Sequence, residues 1–220
     1  KEDSKRFKEK FCLPSKKRDT GSLIWFHGSS VGELLSIIPL VYELEKNKYI
    51  NQILITSSTL SSAEIFKKFK FEKVVHQFFP IDYLLYSYKF LNYWKPTIAI
   101  FIESEIWPSI FRALNKKNIP LLLLNARITK KTFKKWNYIK SFSNSIFKSI
   151  SKAYPQNNET SKYLRKLNVT QIKKIGNLKF INNKQDESIK LNKNLLKNLE
   201  SRKVWCASST HPGEEVMCSK

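Results

Sequence analysis

The chain has 220 residues, 41% hydrophobic and 13% aromatic, which is enough for one large core or two small ones and too apolar for a disordered chain. Lys and Arg number 40 against 18 Asp and Glu, a formal charge of +22 that attracts polyanions or simply reflects a lysine-rich composition. There is no apolar run of about 18 residues to span a membrane and no signal-peptide pattern, and the scattered Cys12, Cys206, Cys218, His27, His76 and His211 suggest reduced thiols and no metal site.

Residues 1–20 read as an exposed basic lead-in. After them, short apolar runs alternate with helix-period segments. Strands are predicted at 22–28, 52–58, 73–80, 97–104, 120–128, 150–156, 171–177 and 203–209, and helices at 33–47, 61–70, 82–94, 106–117, 133–148 and 158–167. Several strands are apolar on both faces, as in a parallel sheet covered by helices on both sides. The expected fold class is therefore α/β, a doubly wound parallel sheet over residues 21–180. Residues 181–202 read as an interdomain linker and helix, and 203–220 as the start of a second α/β domain. The first residue is Lys1, the lone methionine is Met217, and a strand-like run lies close to the end, so the sequence reads as a piece lacking its start and a C-terminal part.

In open α/β sheets ligands bind beyond the carboxyl ends of the strands, which directs attention to the residues just after each run. In "HGSSVGE", Gly28 and Gly32 allow tight turns and close backbone approach, with Ser29 and Ser30 between them. Glu33 falls in the first helical turn, where the macrodipole favours its ionised form; it is either a surface acid or a proton acceptor. Pro39 is expected to kink that helix. The stretch resembles neither a P-loop nor a dinucleotide fingerprint, having no Lys-Ser/Thr pair and no third glycine. In "FIESEIWP", Glu103 and Glu105 at i and i+2 point to one face of an extended chain, unless one of them caps the next helix. Arg127 is one of only six arginines and follows a strand, so a bidentate role is open to it. "GNLKF" offers Asn177 and the cation Lys179, and "SSTHPGEE" a loop with Ser209, Thr210, His211 and Glu214 at a helix start.

Taken in order, "WFHGSSVGELLSIIPL", "FIESEIWP", "LLLLNARIT", "IGNLKF" and "VWCASSTHPGEE" resemble the bacterial 3-deoxy-D-manno-octulosonic acid (Kdo) transferases that glycosylate lipid A, over about Trp25 to Glu215. The resemblance implies a GT-B glycosyltransferase with an N-terminal acceptor domain and a C-terminal domain for CMP-Kdo. It implies an inverting, metal-independent transfer without a cofactor, at the cytoplasmic face of the inner membrane. Glu33 would be the general base, and Glu103 and Lys179 would stabilise the transition state. Gly28, Ser29, Ser30, Gly32, Glu105, Arg127, Asn177, Ser209, Thr210, His211 and Glu214 would line the substrate sites. The family's N-terminal anchor and its later Pro-Arg-His and Gly-Gly motifs do not occur in these 220 residues, so the chain alone is expected to be inactive.

On this reading the partners are CMP-Kdo, a lipid A precursor and an anionic membrane surface, with no nucleic acid. Residues 1–11 and 127–140, the latter with Phe133, Trp136 and Tyr138 among lysines, are the candidate membrane contacts, or else a solvated charged face. Two alternatives stay open: another GT-B nucleotide-sugar transferase, or a basic nucleic-acid-binding module, which would have no use for acids at strand ends.

Overall fold

The computed structural model describes residues 3–179 together with 210, 213 and 214. The chain divides into two compact units, Lys1–Asn182 and Asn183–Lys220. The first contains six strands: β1 (Leu23–His27), β2 (Gln52–Ser57), β3 (Val74–Phe78), β4 (Ile98–Ile102), β5 (Leu121–Ala126) and β6 (Lys152–Pro155). They form one sheet in the order β3-β2-β1-β4-β5-β6, with every adjacent pair parallel. Between them run α1 (Val31–Glu45), α2 (Leu60–Phe66), α3 (Leu84–Trp94), α4 (Pro108–Lys116), α5 (Lys130–Tyr138) and α6 (Lys140–Phe147), and α7 (Asn158–Lys166) follows β6. The strand order reverses between β1 and β4, which opens a crevice at their carboxyl ends.

Period-two alternation in the central strands serves two cores. Trp25, Ala99, Phe101, Leu121 and Leu123 face one side, where they pack with Phe90, Trp94, Phe111 and Phe147. Phe26, Ile100, Ile102 and Leu124 face the other, against Leu34, Ile37, Ile38 and Val41 of α1. Each such buried aromatic or aliphatic side chain contributes roughly 1.5–3 kcal/mol by leaving water. That burial carries α1 unbroken through Pro39, whose missing N–H makes an interior position unfavourable by about 3 kcal/mol. The helix starts two residues earlier than predicted because Ser30 caps it, accepting from the Glu33 amide at 3.2 Å.

Other expectations are corrected. The lead-in is not simply exposed. A 3-10 helix at Phe7–Phe11 buries Glu9, whose Oε2 accepts from the Phe78 amide at 2.8 Å, while Arg6 donates to the His76 carbonyl at 2.8 Å. The predicted helix 133–148 is two helices broken at Ile139, which has φ −101° and ψ 51°. Phe133 and Trp136 pack against the core, stacking on Tyr163 and meeting Phe147 edge-on, whereas Tyr138 is 91% exposed. Of the strand predicted at 171–177 only a parallel bridge, Ala153 to Ile172, is formed. The linker predicted at 181–202 and the strand at 203–209 lie outside the described residues. No helix among the described residues is long and apolar enough to cross a membrane.

Candidate active site

The crevice between β1 and β4 gathers the carboxylates. β1 ends at His27, Gly28 turns the chain, and α1 begins at Val31. Gly28 is closely packed: a Cβ there would lie 3.1 Å from Leu34 Cδ2 and 3.2 Å from Ile102 Cδ1, so those side chains would have to give by a few tenths of an ångström. Gly32 is different: a Cβ on it would meet nothing within 4 Å, so close packing inside the chain does not require that glycine.

Glu33 is half-buried, and its Oε2 accepts from the Ser29 amide at 2.8 Å. Burial pushes its carboxyl above the usual range. The Ser29 N–H pulls the other way, and the nearby charge of Glu105 pushes up again. Burial thus works against the ionised form that the helix N-terminus favours.

Glu103 and Glu105 do not share a face. Glu103 takes φ 56°, a left-handed conformation that costs a non-glycine residue about 1–2 kcal/mol, so the chain turns sharply after β4. The turn is fixed on both sides: the Glu103 amide donates to Leu124 O at 2.9 Å, and its carbonyl accepts from the Arg127 amide at 3.3 Å. The Glu103 carboxylate is buried. Its Oε1 lies 2.7 Å from Lys179 Nζ, an ion pair without the geometry of a well-formed hydrogen bond, and has no other polar partner among the described residues. Lys179 remains 45% exposed on its outer side.

Glu105 turns the opposite way. Its Oε2 accepts from Ser29 Oγ at 2.7 Å, Trp107 Nε1 at 2.7 Å and His27 Nε2 at 3.1 Å. Burial works against its charge, but the His27, Ser29 and Trp107 donors outweigh that and hold the carboxyl below its usual range. His27 is fully buried, which lowers its basicity and keeps the imidazole neutral, so its contact with Glu105 is a hydrogen bond rather than a pair of full charges. Neither acid caps α4. Asp82 does, accepting from the Ser109 and Ile110 amides at 3.1 Å.

Of the remaining sequence candidates, Arg127 is exposed, with its carbonyl accepting from Ser104 Oγ at 2.7 Å. Asn177 Oδ1 accepts from the Lys179 amide at 3.0 Å. Thr210 and Glu214 belong to the second unit, and Ser209 and His211 lie outside the described residues. The structure thus brings Ser29, Ser30, Glu33, Glu103, Glu105 and Lys179 to one sheet edge. No three His, Cys, Asp or Glu side chains among the described residues are grouped to hold a metal ion.

Sequence reasoning missed two residues here. His27 ends an apolar strand yet makes the buried link to Glu105. Asn125, at φ 52° and fully buried near the end of β5, accepts from the Leu178 amide at 3.1 Å and so anchors the segment that carries Lys179. A polar residue inside "LIWFH" or "LLLLNA" was the available signal.

Residues 5–182 match the family model described as 3-Deoxy-D-manno-octulosonic-acid transferase (kdotransferase). The chain belongs to the Kdo transferase family. It is 38% identical over 220 residues to the 3-deoxy-D-manno-octulosonic acid transferase of Rickettsia bellii (strain RML369-C), covering 98% of this chain and 51% of that protein. It is 36% identical to a probable mitochondrial 3-deoxy-D-manno-octulosonic acid transferase of Arabidopsis thaliana (96% and 48% covered), and 30% identical to the Haemophilus influenzae transferase (90% and 47%). The chain thus spans about half the length of these relatives. Among solved structures it resembles the UDP-GlcNAc 2-epimerase of Neisseria meningitidis, with TM-score 0.55, 11% identity, and 84% of this chain and 55% of that one covered. That likeness concerns the fold alone, an α/β domain of the GT-B type.

Proposed function

We propose that this chain carries the acceptor-side half of a transferase that moves Kdo from CMP-Kdo to a lipid A precursor, at the cytoplasmic face of a bacterial inner membrane. The observation that supports this best is the convergence of Glu33, Glu103 and Lys179 at the switch point of a chain matching the family over residues 5–182.

The chemistry follows from the environments. An acceptor hydroxyl oxygen attacks the anomeric carbon of Kdo as the bond to the CMP phosphate oxygen breaks, and CMP leaves with the bonding pair. The hydroxyl proton passes to Glu33, whose burial makes it a better base than a solvated glutamate. One displacement inverts the anomeric centre. The carboxylate of Glu103 offsets positive charge developing on the sugar, and Lys179 offsets negative charge on the donor's carboxylate or phosphate. No step calls on a metal ion or a cofactor. Lys130, Lys131, Lys134 and Lys135 on α5, with exposed Tyr138 and Ile139 at its end, would face the anionic membrane surface that holds the acceptor.

The test is a donor screen on a protein completed to the length of its relatives. CMP-Kdo with a lipid A precursor should give a Kdo-bearing lipid. Transfer from a different nucleotide sugar, with none from CMP-Kdo, would favour the other GT-B reading.

A further inference from the structure

Glu105 has no part in the chemistry just described, yet it has the most hydrogen-bond donors of any carboxylate at the crevice. Three converge on a single oxygen, from Ser29 Oγ, Trp107 Nε1 and His27 Nε2. The set is backed by a buried chain. Trp25 Nε1 donates to Thr56 Oγ1 at 2.9 Å, and Thr56 Oγ1 lies 3.0 Å from His27 Nδ1. With a neutral imidazole that donates through Nε2, Nδ1 accepts from the Thr56 hydroxyl, which then gives up its longer 3.3 Å contact to the Phe26 carbonyl, while the Thr56 carbonyl lies 3.2 Å from the same Nδ1. The imidazole is also stacked on Phe79 at 3.8 Å between ring centres, which removes its rotational freedom.

Ser29 receives this rigidity at the other end. Its hydroxyl goes to Glu105, its amide to Glu33 Oε2 at 2.8 Å, and its carbonyl accepts from Ser62 Oγ at 2.9 Å. One residue thus joins the two carboxylates and is tied from three directions.

We propose that Glu105 is a positioning residue: held by His27 and Trp107, it fixes Ser29, and Ser29 fixes the carboxylate of Glu33. The inference rests on the reading of Glu33 as the base. Its premise is that a base must meet the acceptor hydroxyl within hydrogen-bond distance, and that a misplacement of about 1 Å can cost a hundredfold in rate. A charged acceptor suits the task, because charge-assisted bonds are roughly twice as strong as neutral ones, and an amide in its place would hold the three donors less tightly. The proximity of the Glu105 charge also favours the proton-accepting character of Glu33.

Two substitutions test this, with one measurement that needs no activity. In the 220-residue chain, Glu105→Gln and Ser29→Ala should each speed hydrogen exchange at the residue-29 amide at least tenfold, while the Ile100 and Phe101 amides of β4 keep their protection. Unchanged exchange at residue 29 would overturn the proposal. If Glu105→Gln also loosened β4, Ser29→Ala, which leaves the His27 and Trp107 bonds in place, would decide. In the completed enzyme, Glu105→Gln should lower kcat about tenfold with KM within twofold, and should cost nothing further when Glu33 is already Gln. An equal loss in both backgrounds would show that Glu105 does not act through Glu33. Wild-type turnover by Glu33→Gln alone would instead remove the base reading, and exchange at residue 29 would still report whether Glu105 holds that loop.

Discussion

The β1–β4 edge and helix α5 are both densely charged, with opposite sign and opposite constraint. At the edge Glu33, Glu103 and Glu105 are half or fully withdrawn from water, and each has named partners within 2.8 Å. On α5 four lysines crown a helix with no fully buried residue. In a chain with 40 basic side chains and 18 acidic ones, a lysine's position says little by itself, while an acid drawn into a sheet edge has been placed there against its desolvation cost. The edge should therefore respond sharply to single isosteric changes, and α5 only to summed charge.

The largest expected effect is at Glu33. In the completed enzyme Glu33→Gln should lower the transfer rate on the order of 10²–10⁴-fold with the fold intact, and near wild-type turnover would erase the contrast. Next, Lys179→Met should cost about a hundredfold in kcat, since it removes one preorganised charge and leaves the Glu103 carboxylate buried without its cation. A loss confined to KM would reassign Lys179 to uniform binding.

Replacing Lys134 and Lys135 of α5, together with Lys140 at the start of α6, by Gln should weaken partitioning onto anionic vesicles by about a hundredfold at low salt, at roughly 1 kcal/mol per lysine. Added salt should mimic the change, and thermal stability should stay put. Sensitivity to one lysine alone would show that α5 is as constrained as the edge.

The smallest effect concerns a base among the cations. Burial, then Arg6, Lys16 and Lys67, lower His76 from the ordinary 6.5 to about 3. Above pH 6.5 it is neutral whether folded or not. As pH falls through that value, the unfolded chain takes a proton that the folded one refuses, so stability drops progressively toward pH 3. Between pH 7.5 and 5.5 the loss should be about 1 kcal/mol, and His76→Gln should flatten that slope in denaturant titrations.

Much of this architecture was legible in the residues. Runs such as "SLIWFHG" and "TIAIFIES" are apolar on both faces, and that pattern marks a parallel sheet whichever side each helix takes. The rule that ligands bind at the carboxyl ends of the strands points to Glu33, Glu103 and Glu105 from the residues alone. What stayed hidden depends on contacts distant in sequence. Extended geometry was assumed for Glu103, and its φ of 56° sent the two acids of "ESE" to separate partners. Asp82 caps a helix 26 residues further on, and no local spacing signals that. The break at Ile139 lay inside a run periodic enough to pass for one helix, while Phe133 and Trp136 were drawn inward by Tyr163 and Phe147.

The open space beside Gly32 has a consequence of its own. Glycine in the first turn of α1 makes the helix less stable than alanine would by as much as about 1 kcal/mol, and no neighbouring atom obstructs a methyl group there. For folding alone, alanine would be the better residue. The domain therefore carries, exposed and next to Glu33, a helix position at which a small side chain would fit and helix stability would gain from it.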